Sequence, residues 1–261
     1  MGSKATKTSI LTSKWIIRIA SVVGVLIAWQ VYGTYNPFLI SSPTAIGAAL
    51  IDLTVSTPFV SYLAITLWTA FVGYAIAAMV GIAIGAGMAR WQTIDNAIDP
   101  YVTMLYNAPY VALAPLFMIF FGVDFLARVI VVILSVAFVV IINSVTGFKT
   151  ASKALVETGR SFGFSGPILY TKLVVPAALP YIMTGMRLGV ARALVGILVA
   201  ESVVQIVYTG YQIQYYAEST FQIDHEMAIV IVIAVLGLVL TEVLKYAEHA
   251  LSKWRVATTM L

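Results

Sequence analysis

Two ionisable residues stand where charge is expensive. Arg192 and Glu201 lie inside a long apolar run, 180–208, and a charge at membrane depth normally faces a partner or a water-filled cavity. Nine helical residues separate them by about 13 Å along the axis. They cannot pair with each other, so each needs another partner. Glu201 falls toward the outer leaflet, either as a structural hydrogen-bonding group or as a contact for something passing through. A second polar group, Tyr106, Asn107 and Tyr110, sits beside Pro109 and Pro115. Proline frees backbone carbonyls that need polar neighbours or water, so this stretch is either a packing kink or the lining of a pathway. Gly163-Phe164-Ser165-Gly166 matches the Gly-x-Ser-Gly of intramembrane serine proteases. That chemistry needs serine at membrane depth with a histidine base, whereas this serine lies in a polar loop and His225 and His249 lie at segment ends. No Gly-x4-Gly-Lys-Ser/Thr run is present, so no nucleotide or other cofactor is expected on this chain. The absence of cysteine excludes thiolate metal sites and disulfides.

The elements that must carry these residues follow from composition. Of 261 residues, 61% are hydrophobic and 10% charged, against about 25% charged in soluble domains. The mean hydropathy is +0.98. Six runs are long enough to span a bilayer at about 20 residues each: 15–33, 61–88, 101–121, 126–148, 180–208 and 227–246. The second and fifth exceed the need and should tilt or project. The first run is long, and bulky Val31 and Tyr32 occupy the place where small residues would mark cleavage, so it reads as an uncleaved anchor.

Lysine and arginine set the orientation. Lys4, Lys7, Lys14 and Arg18 precede or open the first run, and Arg90 follows the second. Lys149, Lys153, Arg160, Lys172 and Arg187 surround the connection 149–179, and Lys245, Lys253 and Arg255 close the chain. Connections 34–60, 122–125 and 209–226 have none. Both termini and the 149–179 loop are therefore expected on the cytoplasmic side of the membrane. The net charge of +4 is spent on this orientation and implies no nucleic-acid partner.

Ser41-Ser42-Pro43 should start a short outer helix, with Ala45, Ile46, Ala49, Leu50 and Leu53 at helical spacing, amphipathic and lying on the interface. Gly81 with Gly85, and Gly185 with Gly189, permit close helix approach. They suit packing within one subunit or a seam between subunits, Gly185 and Gly189 being the better seam candidates. Tyr208, Tyr211, Tyr215, Tyr216 and Phe221 crowd the last outer loop as an interfacial aromatic belt or a docking surface.

In the 149–179 loop, Ser152 is a candidate N-cap, and Leu155 and Phe162 fall on similar helix faces. Gly163 can end a helix with positive φ. Ser165-Gly166-Pro167 can start another, which Pro176 and Pro180 limit. Two short helices joined by a glycine turn make a rigid knuckle. The spacing of Glu157, Gly163 and Pro176, with Leu173 and Val175 before the proline, resembles the EAA loop of binding-protein-dependent ABC importer permeases. That pattern is Glu-Ala-Ala, three residues, Gly, nine residues, then Ile-x-Leu-Pro. Here Thr158 and Gly159 replace the two alanines, and Gly159 lowers local helix propensity. Phe38-Leu-Ile-Ser-Ser-Pro43, Ala112-Leu-Ala-Pro-Leu-Phe117, Gly185-Met-Arg-Leu-Gly189 and Leu198-Val-Ala-Glu201 are similar to the nitrate/sulfonate/taurine-type permeases, so the resemblance covers most of the chain.

The resemblance implies an all-α integral membrane protein of the type I ABC importer fold, with about six transmembrane helices and a cytoplasmic coupling helix. It divides the chain into a cytoplasmic tail (1–14), a first span with the outer helix (15–60), an ABC type-1 transmembrane domain (61–248) and a second tail (249–261). It implies that Glu157, Thr158, Gly159, Gly163, Leu173 and Pro176 meet an ABC ATPase subunit, present in two copies and carrying the ATP and magnesium. It further implies a homodimer and an external or periplasmic solute-binding protein. The chain itself is then a transport subunit, not an enzyme. Sulfonates, taurine, nitrate, pyrimidines, riboflavin and aromatic acids are all substrates within the resembling family. The rival from another class, an ATP-independent secondary transporter, would need ionisable groups at mid-membrane for ion coupling; the centres of runs two, three and six have none.

Overall fold

The computed structural model describes residues 4–150, 153–204 and 208–251. All regular structure among them is helical: α1 (Lys4–Tyr35), α2 (Pro43–Ser56), α3 (Phe59–Arg90), α4 (Gln92–Asn107), α5 (Ala114–Phe121), α6 (Phe125–Thr150), α7 (Lys153–Ser161), α8 (Gly166–Leu169), α9 (Val175–Val204), α10 (Thr209–Gln214) and α11 (Ile223–Leu251). Five stretches are long and apolar enough to cross a membrane: Trp15–Tyr35, Phe59–Arg90, Phe125–Thr150, Tyr170–Val203 and Ile223–Ala250. The third expected span is different. It begins early, at Gln92, because polar residues around Asp95 are helical too. It then breaks at Ala108, which is extended (φ −70°, ψ 141°) ahead of Pro109, as a residue before proline must tend to be. A short 3₁₀ turn, Tyr110–Leu113, leads into α5.

The chain divides into two compact units, 1–60 with 213–231 and 61–212 with 232–261. In the first, α1 exposes most of its apolar surface, as a lipid-facing helix can. It is tied to α2 near its end, where Trp29 Nε1 donates to the Ser41 carbonyl at 2.9 Å and Gln30 Nε2 bonds Thr44 Oγ1 at 2.9 Å. Ser42 caps α2 by accepting from Ala45 N, with Pro43 opening the helix. Ile46, Ala49 and Leu53 are buried. Leu50, Ile51 and Val55 are exposed, so α2 is apolar on both faces rather than amphipathic. An apolar outward face suits lipid contact.

In the second unit, α6 is the most enclosed span. α3 packs on it through Gly81 and Gly85: a Cβ built on Gly85 would fall 2.5 Å from Ser144 Cβ, and one on Gly81 2.9 Å from Val140 Cγ1. α9 packs on it through Gly185 and Gly189, whose built Cβ atoms fall 2.7 Å from Asn143 Cβ and 3.0 Å from Val136 Cγ1. Small residues matter here because lipid supplies no hydrophobic drive between helices, so close packing must hold them. All four glycines are used within the chain. Gly185 and Gly189 thus serve packing within one subunit, one of the two uses expected of them.

Candidate functional site

The knuckle is built by local backbone chemistry. α7 ends at Gly163, whose φ is +80°. Gly163 N donates to Arg160 O at 2.9 Å and Phe164 N to Gly159 O at 2.9 Å. This is the paired arrangement that closes a helix on a left-handed glycine. Glu157, Thr158 and Arg160 point outward and are exposed, while Gly159 is buried. A Cβ on Gly159 would collide with the end of Leu173 and lie 2.8 Å from Leu169 Cδ1. The glycine that weakens α7 as a helix is thus what lets α7 lie against the following helix. Ser152 lies outside the described residues. Phe162 is 77% exposed and does not share an inward face with half-buried Leu155.

Beyond the turn, the structure departs from the expected short second helix. α8, a π-helical turn at Tyr170–Val174 and α9 form one unbroken helical run. Pro176 and Pro180 fall inside it and do not stop it. A proline ring clashes with the carbonyl four residues back, and its missing N–H removes a bond. The wider turn just ahead, closed by Val175 N donating to Tyr170 O, absorbs that defect. Leu173 and Pro176 are half-buried on this run.

The partner that Glu201 lacked in its own helix is Arg128, on α6. Arg128 Nη1 lies 3.2 Å from Glu201 Oε1, with side chains 5% and 0% exposed. Thr66 Oγ1 lies 3.0 and 2.9 Å from the two carboxylate oxygens, and Gly210 N donates to Oε2 at 3.0 Å. Arg128 stacks over the Tyr208 ring at 4.4 Å, which draws one of the expected belt tyrosines into the interior. Glu201 therefore faces no pathway, and its candidacy as a lining residue is withdrawn. Sequence reasoning missed Arg128, although an arginine near the start of an apolar run carried the same signal as Glu201.

The other in-span charge, Arg192, lies over the Tyr106 ring at 5.8 Å. The two border an open groove of about 420 Å³ on the exposed side of α9, with Leu188, Ala191 and Val195. Of the expected lining residues, Tyr106 is in this groove. Asn107 is exposed at the end of α4, its amide donating to Thr103 O at 2.8 Å. The Tyr110 side chain is outside the described set.

This architecture can be compared with known proteins. A crystal structure of an amino acid ABC transporter with histidines superposes at TM-score 0.60 with 19% identity, covering 79% of this chain and 98% of that one; this shows the fold. The permease protein SsuC of Escherichia coli (strain K12), assigned to aliphatic sulfonates transport, is 31% identical over 94% of this chain and 95% of its own length. The formylaminopyrimidine transport permease protein ThiX of Halalkalibacterium halodurans is 27% identical over 88% of this chain and 92% of its own length. The taurine transport system permease protein TauC of Escherichia coli (strain K12) is 23% identical over 94% and 91%. Residues 77–254 match the model of the binding-protein-dependent transport system inner membrane component family, and the chain belongs to that family as a multi-pass permease subunit of an ABC transporter.

Proposed function

We propose that this permease forms half of an import pathway as a homodimer and is driven through the 149–179 loop by a separate ATPase carrying ATP and magnesium. Family membership displaces the ATP-independent alternative. The observation that carries the coupling role is mechanical. The second helix of a knuckle fixed by a left-handed glycine continues, without a break, into the helix that spans to Val204, and the first rests on it through Gly159. A push on Glu157, Thr158 and Phe162 would move that helix as a rigid body, where a floppy loop would absorb the displacement. Both termini and this loop then face the cytoplasm of the inner membrane, and an external binding protein delivers solute to the other side.

Gly163→Val tests the reading. A side chain in the left-handed region costs about 1 kcal/mol or more locally, and the misaimed helix should no longer fit the ATPase. Uptake and ATPase co-purification should be lost while membrane insertion persists. Glu157→Lys should weaken docking less, since an exposed charge contact is worth under about 1 kcal/mol. Normal uptake in Gly163→Val sinks the coupling role. Loss of the protein from the membrane would instead assign Gly163 to folding alone.

The groove supports a class of substrate. A cation on the exposed side of a span beside an aromatic ring suits a small organic anion, in line with the sulfonate and taurine names of two relatives. Uptake of labelled taurine or an alkanesulfonate should exceed that of formylaminopyrimidine and fall in Arg192→Gln; the reverse order would remove the anion assignment.

A further inference from the structure

The end of α3 carries a groove that neither packing nor the coupling role explains. Ala83, Ala86, Gly87 and Arg90 recur at i, i+3, i+4 and i+7, so they share one face of α3. They form the floor of a cavity of about 470 Å³, within the roughly 300–1,000 Å³ range of small-ligand sites. This is not the face that packs on α6, which carries Gly81, Gly85 and buried Met88. Among the described residues a Cβ on Gly87 would meet only the Trp91 ring, at 3.9 Å, and none of them fills the space above it. The opposite wall comes from the knuckle and the π-helical turn, through Val156 and Val174.

Three further observations define an occupant. First, the floor is apolar for about 10 Å and ends in a cation. Second, Arg90 sits over the rings of Tyr170 and Trp91 at 5.3 and 5.9 Å. Among the described residues no carboxylate lies in ion-pair range of it, so its charge is held in place but not neutralised. Third, the groove continues an apolar face exposed along the span: Met79 is 65% and Val80 44% exposed, one turn before Ala83. A chain lying on Met79, Ala83 and Gly87 would bring its head to Arg90 at the membrane boundary. A soluble anion would use the arginine but not the apolar floor.

We propose that this groove binds one anionic phospholipid per protomer, with its phosphodiester on Arg90 and one acyl chain along Ala83 and Gly87, wedged against Val156 and Val174. Binding is independent of whether that loop couples to an ATPase, so the proposal can fail while the functional reading stands.

The test is native mass spectrometry of wild type, Arg90→Gln and Gly87→Leu, delipidated in detergent and offered phosphatidylglycerol or phosphatidylcholine. Wild type should retain one phosphatidylglycerol per protomer through washing, and phosphatidylcholine should be lost. Arg90→Gln should reduce retention about five-fold, the factor that one basic residue supplies at an anionic surface. Gly87→Leu keeps the charge but fills the floor, and should reduce retention similarly while its thermal melting stays that of wild type. Equal retention of phosphatidylcholine, or wild-type retention in Arg90→Gln, overturns the proposal. Displacement of the lipid by millimolar glycerol 3-phosphate would show a soluble organic phosphate as the occupant and equally overturn it.

Discussion

Breaking the Arg128–Glu201 pair should cost more than removing it. The perturbation is a pair of single substitutions, Arg128→Met and Glu201→Gln, and their combination. In the structure both side chains are almost fully enclosed and 3.2 Å apart. Arg128→Met leaves a buried carboxylate facing, among the described residues, Thr66 and Gly210, and Glu201→Gln leaves a buried guanidinium facing an amide. Stranding one buried charge typically costs about 3–5 kcal/mol. Arg128→Met also loses the stacking on Tyr208, worth about 0.5–2 kcal/mol. The double variant strands neither charge. Its introduced amide can still meet Thr66 Oγ1 and Gly210 N, which lie 2.9 and 3.0 Å from the present carboxylate oxygens. It should therefore be more stable than either single variant, with non-additivity of at least about 2 kcal/mol. The assay is reversible unfolding in mixed micelles followed by tryptophan fluorescence. Single variants within about 1 kcal/mol of wild type, or a double variant equal to the sum of the singles, would refute the view that these groups form one isolated ion pair.

Gly85→Leu should prevent α3 from seating on α6, because even a Cβ there falls 2.5 Å from Ser144 Cβ and 3.1 Å from the Ile141 carbonyl. Overpacking of this kind costs about 1–3 kcal/mol or more. Reduced folded yield by size-exclusion chromatography is the expected result, and wild-type yield would contradict the packing argument. The Asp52 carboxyl is held below the ordinary carboxylate range by the Ser56 hydroxyl at 2.7 Å and then by His225 at 3.2 Å. A folded value below the unfolded one, about 3.9, means the contribution is complete above that pH and is lost as pH falls through the folded value. Hydrogen exchange across Pro43–Ser56, corrected for intrinsic rates, should accelerate below about pH 4 in wild type and show no such step in Asp52→Asn; parallel profiles would remove the link.

The loop turn was legible from residue types alone. Gly163 adopts the left-handed conformation that a helix-ending glycine permits, because that preference is decided by the atoms of a few neighbouring residues. Five spans were equally legible, since apolar length against bilayer thickness needs no knowledge of neighbours. The third was expected as one run interrupted at its prolines, without the form of the break. Its two prolines were visible, but whether α4 resumed directly or through a turn depended on what α5 could pack against. The continuation of α8 through Pro176 into α9 was also hidden, because it depends on a wider turn that residue types do not encode.

Which groups meet was settled only by the tertiary structure. Glu201 required a partner by its own chemistry, but the partner lies 73 positions away on α6, and nothing local selects it. The two glycine pairs announced close approach without saying to what; α6 meets both, α3 through one pair and α9 through the other. The sequence by itself determined which segments must leave water, where charge needs a counterpart and where the backbone can turn, since these follow from solvation and short-range sterics. Which faces are spent inside the protomer, and which, such as the Arg192 groove and the end of α3, are left open, depended on how the helices cross, and that is decided by every packed neighbour at once.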